Sequence, residues 1–423
     1  MLSKLPKFTP KPNKNALLAY IRETFRNWLV GTCFLIFAVS IKSPLADNLP
    51  SLIPERSHVN KTTKEVFGFA PYWVFNDKLN NLNFDVLTTF AYFGIPVRGD
   101  GTLDKEDYGY SVFWSKKATS IFREAHEKGT RVVVTLTQMD NATIQALLDD
   151  PEAKQNTVSE VLWEVLKRGV DGVNIDFEYT GDPGDIYRQK FTDYVAFMTE
   201  TLHRFVPDSK VTVSVYAGSL LEPKLYDIGE LAKVSDGIFM MAYDFATTSA
   251  DQAMPTAPLY GHKTGTYWYD IATAVEDFLK IMPPEKLILG LPWYSYNYPV
   301  AEPKVKASTY RGATVQTYKA VQDEIDPGMK GIIDYKTGWD EEGQVGWKAY
   351  MNYYGTWRMV FFDDPRSLAI KYDFAKEQKL GGVGIWALGF DDGRKELWDI
   401  LRDKFGNKIA DINIIRKDIN ENI

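Results

Sequence analysis

The sequence predicts an α/β chain closed into a (β/α)8 TIM barrel, with a small β-rich or α+β insertion between strands 7 and 8. Three observations carry this. Eight short β-rich apolar runs recur along the chain, amphipathic helical stretches separate most of them, and the 423-residue length suits one large barrel domain. An open doubly wound sheet would use the same alternation. It is disfavoured because no glycine-rich phosphate loop follows the first run.

The eight runs are "EVFGFAPYW" from Glu65, "DVLTTFAYFGI" from Asp85, "RVVVTLTQ" from Arg131, "DGVNIDFEY" from Asp171, "VTVSVYAG" from Val211, "GIFMMAYDF" from Gly237, "LILGLPWYSY" from Leu287 and "GGVGIWALGF" from Gly381. Helices are expected between them. In "KFTDYVAFMTETLHRF", Phe191, Tyr194, Met198, Leu202 and Phe205 recur at helical spacing and leave the charges opposite. "ATSIFREAHEKG", "SEVLWEVLKRG", "YDIATAVEDFLKIM" and "KELWDILRDKFG" read the same way, each stopping at Gly or running into Pro. Two links depart from the pattern. The first is too short for a full helix, and the seventh is about twice the others. The latter is read as an insertion at 297–360, whose "TGWDEEGQVGWKAYMNYYGTWRMVFFDD" has the look of strands and turns and would wall one side of the barrel mouth.

The N-terminus differs in kind. Lys4, Lys7, Lys11, Lys14, Arg22 and Arg26 precede the apolar run "WLVGTCFLIFAVSI" at 28–41, with small residues near Ala46. Residues 1–46 are therefore expected to be a signal peptide or membrane anchor, the apolar run being short for a bilayer span of about 20 residues. A polar linker at 47–63, a catalytic barrel at 64–406 and a tail at 407–423 complete the division. This reading makes the protein secreted or extracytoplasmic, anchored by residues 28–41 if the leader is retained.

A formal net charge of −7 with no long basic run in the body argues against nucleic acid as a partner. The single cysteine, Cys33, and four scattered histidines match no disulfide framework or metal-ligand spacing, so no metal and no cofactor are expected. Aromatic residues form 14% of the chain, and Trp and Tyr are the side chains that stack on sugar faces. A monomer is expected.

The fourth run raises the functional question. On a strand, Val173, Ile175 and Phe177 face one way while Asn174, Asp176 and Glu178 face the other, so the polar triplet points to the barrel axis at the strand's C-terminal end. Asp176 and Glu178 then lie roughly 7 Å apart, close enough for each charge to oppose ionisation of the other. One of them holds a proton near neutral pH and can act as a general acid. A solvated edge strand or a calcium site would use the same letters, but buried polar side chains on a doubly covered strand need a reason.

"DGVNIDFEY" resembles the signature of glycoside hydrolase family 18, the chitinase family, whose pattern is D-G-x-D-x-D-x-E on the fourth barrel strand. By that resemblance Glu178 falls on the catalytic acid, Asp176 on the neighbouring aspartate and Asp171 on the first aspartate, while Asn174 stands where the family usually has Asp. "MMAYDF" is similar to the family's Met-x-Tyr-Asp on strand six, which places Met241, Tyr243 and Asp244 at the site. "GIWALG" resembles strand eight, whose tryptophan is Trp386. The family's Ser-x-Gly-Gly on strand three is replaced by "VTLTQMD", and "LPWYSY" lacks the Tyr-Gly-Arg often found on strand seven.

The resemblance implies a retaining hydrolysis in which the substrate's own 2-acetamido oxygen attacks, an exception to the two-carboxylate scheme. Asp176 would orient the acetamido N–H, Tyr243 would donate to the acetamido oxygen, and Glu178 would protonate the glycosidic oxygen and then activate water. Trp386 is the expected floor of the site, with Tyr72, Trp73 and Trp293 as candidate stacking residues at the mouths of strands one and seven. The implied substrate is chitin, chito-oligosaccharide or another N-acetylglucosamine polymer. A peptidoglycan N-acetylglucosaminidase and an inactive chitin-binding lectin are the alternatives.

Overall fold

In a computed structural model the described residues are 64–406, apart from 76–78 and 80. The expected leader, linker and tail lie outside them. Eight parallel strands close the barrel: β1 (Glu65–Pro71), β2 (Thr89–Pro96), β3 (Arg131–Gln138), β4 (Gly172–Phe177), β5 (Lys210–Tyr216), β6 (Gly237–Met241), β7 (Leu287–Pro292) and β13 (Gly382–Trp386), each paired with its neighbours and β13 returning to β1. The helices that cover them are α1 (Tyr108–Phe113), α2 (Lys116–Glu127), α3 (Asn141–Asp149), α4 (Pro151–Arg168), α5 (Asp185–Phe205), α6 (Ile228–Val234), α7 (Ile271–Phe278), α9 (Pro365–Glu377) and α10 (Glu396–Phe405). As the short first link requires, only a 3₁₀ turn at Tyr72–Val74 is formed among the described residues between β1 and β2.

The helices start and stop where local chemistry says they should. At α4 the Asp150 side chain accepts the Glu152 N–H, Pro151 occupies the first position, and Gly169 closes the helix at φ 70°. Phe191, Tyr194, Met198 and Leu202 of α5 are wholly buried. Phe205, expected on the same face, is 45% exposed because it ends the helix beyond the barrel wall.

The long seventh link is a second sheet of five antiparallel strands in the order β10-β11-β12-β8-β9: β8 (Tyr294–Val300), β9 (Thr314–Thr317), β10 (Ile332–Asp340), β11 (Val345–Asn352) and β12 (Trp357–Phe362), with α8 (Tyr318–Glu324) between β9 and β10. It begins at Tyr294, three residues before the expected boundary, since "LILGLPWYSY" is two strands meeting at Trp293 and not one.

The barrel interior has two unlike halves. Phe67 and Phe69 of β1, Ala91 and Phe93 of β2, Phe239 and Met241 of β6 and Ile288 of β7 form an apolar plug. Phe239 fits because Gly290 and Gly384 flank it; a Cβ at either would lie 2.3 or 2.1 Å from its ring. Thr135, Asn174, Asp176, Thr212 and Ser214, all buried on β3, β4 and β5, supply the polar half.

Candidate active site

Alternation along β4 sets the geometry. Val173, Ile175 and Phe177 are fully buried outward, with the Phe177 ring 5.8 Å from Tyr194 of α5. Asn174 and Asp176 turn inward, and Glu178 follows at the strand's C-terminal end, its N–H donating to Gln138 O at 2.8 Å. At that end the barrel opens into a cavity of about 250 Å³. Asp176, Glu178, Met241, Tyr243, Asp244, Trp73 and Trp386 line it, together with Phe69, Phe93, Met139, Ser214, Tyr216 and Tyr294.

Both carboxyls of the pair are held above the usual carboxylate range. For Asp176 burial is the main cause and the Glu178 charge the second. For Glu178 burial again dominates, the Tyr216 hydrogen bond opposes it, Asp244 adds to it and Lys224 opposes it. Asp176 Oδ1 is buried and accepts no hydrogen bond from any described residue. Glu178 Oε2 accepts the Tyr216 hydroxyl.

Trp386 lines the cavity, its ring edge-on to Phe93 at 4.7 Å and to Phe69 at 5.6 Å. Asp244 adopts a left-handed φ of 61° and accepts the hydroxyls of Tyr294 and Tyr296, the latter at 2.7 Å. Trp73, 43% exposed, stands at the rim.

Four residues singled out in the sequence fall elsewhere. Trp293 is buried behind the barrel wall, its ring 5.3 Å from Trp398 of α10. The reason is parity: Leu287, Leu289, Leu291 and Trp293 all face the helices, and Tyr294 is the side chain that reaches the cavity. Tyr72 does not line the cavity either. The 3₁₀ turn after β1 separates successive side chains by about a third of a turn, so Trp73 meets the cavity while Tyr72 packs 5.9 Å from Tyr108 of α1. Asn174 sits behind Asp176, its amide donating to Thr212 Oγ1 and accepting from Ser214 Oγ, each at 3.0 Å. Asp171 lies at the opposite end of β4, where Oδ2 pairs with His126 Nε2 and accepts Val132 N–H, both at 2.8 Å.

Sequence reading missed Ser214, Tyr216, Tyr294, Phe69, Phe93, Met139 and Lys224. Alternation in "VTVSVYAG" contains the signal for the first two, since Val211, Val213 and Val215 fill the outward row. Among the described residues no three His, Cys, Asp or Glu side chains are grouped to hold a metal, and no helix is long and apolar enough to cross a membrane.

The family model described as "Glycosyl hydrolases family 18" matches residues 57–391 of the chain. The protein belongs to this family and is a glycosidase. Human di-N-acetylchitobiase is 24% identical over 304 residues, covering 66% of this chain and 74% of that protein. Among solved structures, the Ostrinia furnacalis Group IV chitinase in complex with allosamidin superposes with a TM-score of 0.68 at 21% identity, over 81% of this chain and 97% of that one. Human YKL-39, described as a pseudo-chitinase with retained chitooligosaccharide binding, gives a TM-score of 0.68 at 17% identity over 81% and 98%.

Proposed function

We propose that the protein hydrolyses β-1,4-linked N-acetylglucosamine chains, chitin or chito-oligosaccharides, by a retaining, substrate-assisted route. The observation that carries this reading is the buried Asp176 Oδ1, which lacks a donor beside a carboxyl, Glu178, that burial pushes above the usual carboxylate range. A sugar bearing an acetamido N–H supplies that donor, and the resulting hydrogen bond offsets a desolvation cost of about 1–3 kcal/mol. Asp244 is occupied by two tyrosine hydroxyls and Asp176 receives the acetamido N–H, so the attacking oxygen is assigned, as in the family, to the substrate's own acetamido group. Glu178 delivers its proton to the leaving oxygen; Tyr243 borders the acetamido side and stays protonated, burial pushing its phenol far up.

The curated relative named for chitobiose and the pseudo-chitinase neighbour both support an N-acetylglucosamine ligand. Binding without turnover is less well supported, because Glu178, Asp176 and Tyr243 all line one cavity. The test is hydrolysis of matched oligomers, fully N-acetylated and fully de-N-acetylated, with products quantified. Cleavage of the first alone is expected. Equal cleavage of both would remove the acetamido nucleophile, and binding without products would make the protein a lectin. Purified peptidoglycan digested in parallel separates chitin-type from wall glycan substrates.

A further inference from the structure

Glu178, taken as the acid on the reading above, leans on a neighbour from the adjacent strand. We propose that Tyr216 is the positioning residue of this site: its phenol pins the Glu178 carboxyl through Oε2, leaves Oε1 to carry and deliver the proton, and is itself held by the Lys224 ammonium.

Tyr216 ends β5 on the inward row that begins with Thr212 and Ser214. Its hydroxyl donates to Glu178 Oε2. A phenol has one hydrogen, and burial together with the charges of Glu178, Asp176 and Asp244 pushes its ionisation far above the usual range, so it remains a donor. With the phenol donating, Oε2 is the acceptor. The exchangeable proton of the acid belongs on Oε1.

The ring is fixed in turn. Lys224 Nζ stands 4.3 Å from the Tyr216 centroid, a cation–π contact. Lys224 reaches it with a left-handed φ of 50°, unfavourable for a residue with a Cβ, and Arg188 Nη1 holds its carbonyl at 3.0 Å. No alternative partner offers itself on β4. The Asn174 amide is engaged on both sides by Thr212 and Ser214 and has no acidic proton to share, and Asp176 receives no hydrogen bond on Oδ1.

The groups facing Glu178 are Asp176 on its own strand, Tyr216 on β5, Lys224 and Tyr226 in the segment after β5, and Tyr243 and Asp244 after β6. Burial and then Asp244 oppose ionisation of Glu178; Tyr216 and Lys224 favour it. Removing either of the last two raises the pH at which the acid loses its proton.

The experiment is the pH profile of kcat/KM on a chito-oligosaccharide for the full chain and for Tyr216→Phe, Lys224→Met and Glu178→Gln. Tyr216→Phe is expected to move the alkaline limb up by about one pH unit, a tenfold change in the ionisation constant, and to lower the plateau of kcat about tenfold with KM little changed. Lys224→Met, which keeps the side-chain stem, moves the limb the same way by less, and added salt diminishes the difference. If Tyr216→Phe does not fold, Lys224→Met decides alone. Limbs that coincide with the parent overturn the assignment. Turnover retained by Glu178→Gln overturns instead the choice of acid, so the two failures are distinguishable.

Discussion

Asp391 offers a test of how tightly the turn behind Trp386 is built. It lies five residues after that tryptophan, is 2% exposed, and accepts Trp398 Nε1–H at 3.0 Å. Burial pushes its carboxyl up to about 6, against the pull of the indole and the backbone N–H groups of the turn. In the unfolded chain an aspartate titrates near about 3.9, so the native state favours the neutral form by about two units, or ~3 kcal/mol. The sign follows from proton counting. Between the two values the folded protein binds more protons than the unfolded one, so this contribution is fully present below about pH 4 and is lost as pH rises through about 6.

Asp391→Asn cannot ionise. Urea unfolding of parent and variant, followed by tryptophan fluorescence, gives their stability difference at each pH, in which the other carboxylates cancel. The variant gains relative to the parent by about 2 kcal/mol on going from about pH 4.5 to about pH 8, most of the full ~3 kcal/mol. A constant offset accompanies this swing, since an amide loses acceptor capacity toward the turn's N–H groups at about 1 kcal/mol per bond. A difference that stays flat across the range would refute the reasoning, because Asp391 would then not be titrating as a buried acid.

Five further substitutions have expected outcomes. Glu178→Gln lowers kcat on chito-oligosaccharides by at least about 10²-fold while calorimetric titration still detects binding. Trp293→Ala costs about 3–5 kcal/mol in urea unfolding and leaves KM unchanged, and a raised KM with unchanged stability would put that ring in the cleft after all. Trp73→Ala does the reverse, raising KM several-fold for about 1 kcal/mol of lost stacking while stability stays within about 0.5 kcal/mol. Phe239→Ala loses about 3–5 kcal/mol through the cavity it leaves, and Gly384→Ala loses about 1–3 kcal/mol through overpacking against the same ring; either variant unfolding like the parent would contradict the plug.

The barrel was legible because its signals are local. Apolar runs of strand length, helical rows such as Phe191, Tyr194, Met198 and Leu202, and a first link too short for a helix each constrain a few residues at a time. The inward turn of Asp176 was legible for the same reason, since Val173, Ile175 and Phe177 can only face the helices. Misplacements arose where a count had to be carried across a break. Trp293 looks like a mouth residue until the row Leu287, Leu289, Leu291 is extended by one step, which hands the cavity to Tyr294. Tyr72 was lost to a 3₁₀ turn, where strand alternation no longer applies. Lys224 lies outside any strand or helix, and only the folded chain shows that its left-handed backbone carries the ammonium over Tyr216. Phe69 and Phe93 belong to rows that read as core and are core; they also pack edge-on against the Trp386 ring.

The split interior has a bearing on directionality. Across the cavity the rings of Phe69 and Phe93 stand opposite the carboxyl of Asp176 and the hydroxyl of Ser214. A ligand with one greasy face and one hydrophilic edge can satisfy both walls in a single orientation; turned over, it leaves Ser214 and Asp176 without partners and sets its own polar atoms against Phe69 and Phe93. On the function proposed above, this asymmetry works like the notch of a keyed plug, setting which way round a sugar seats.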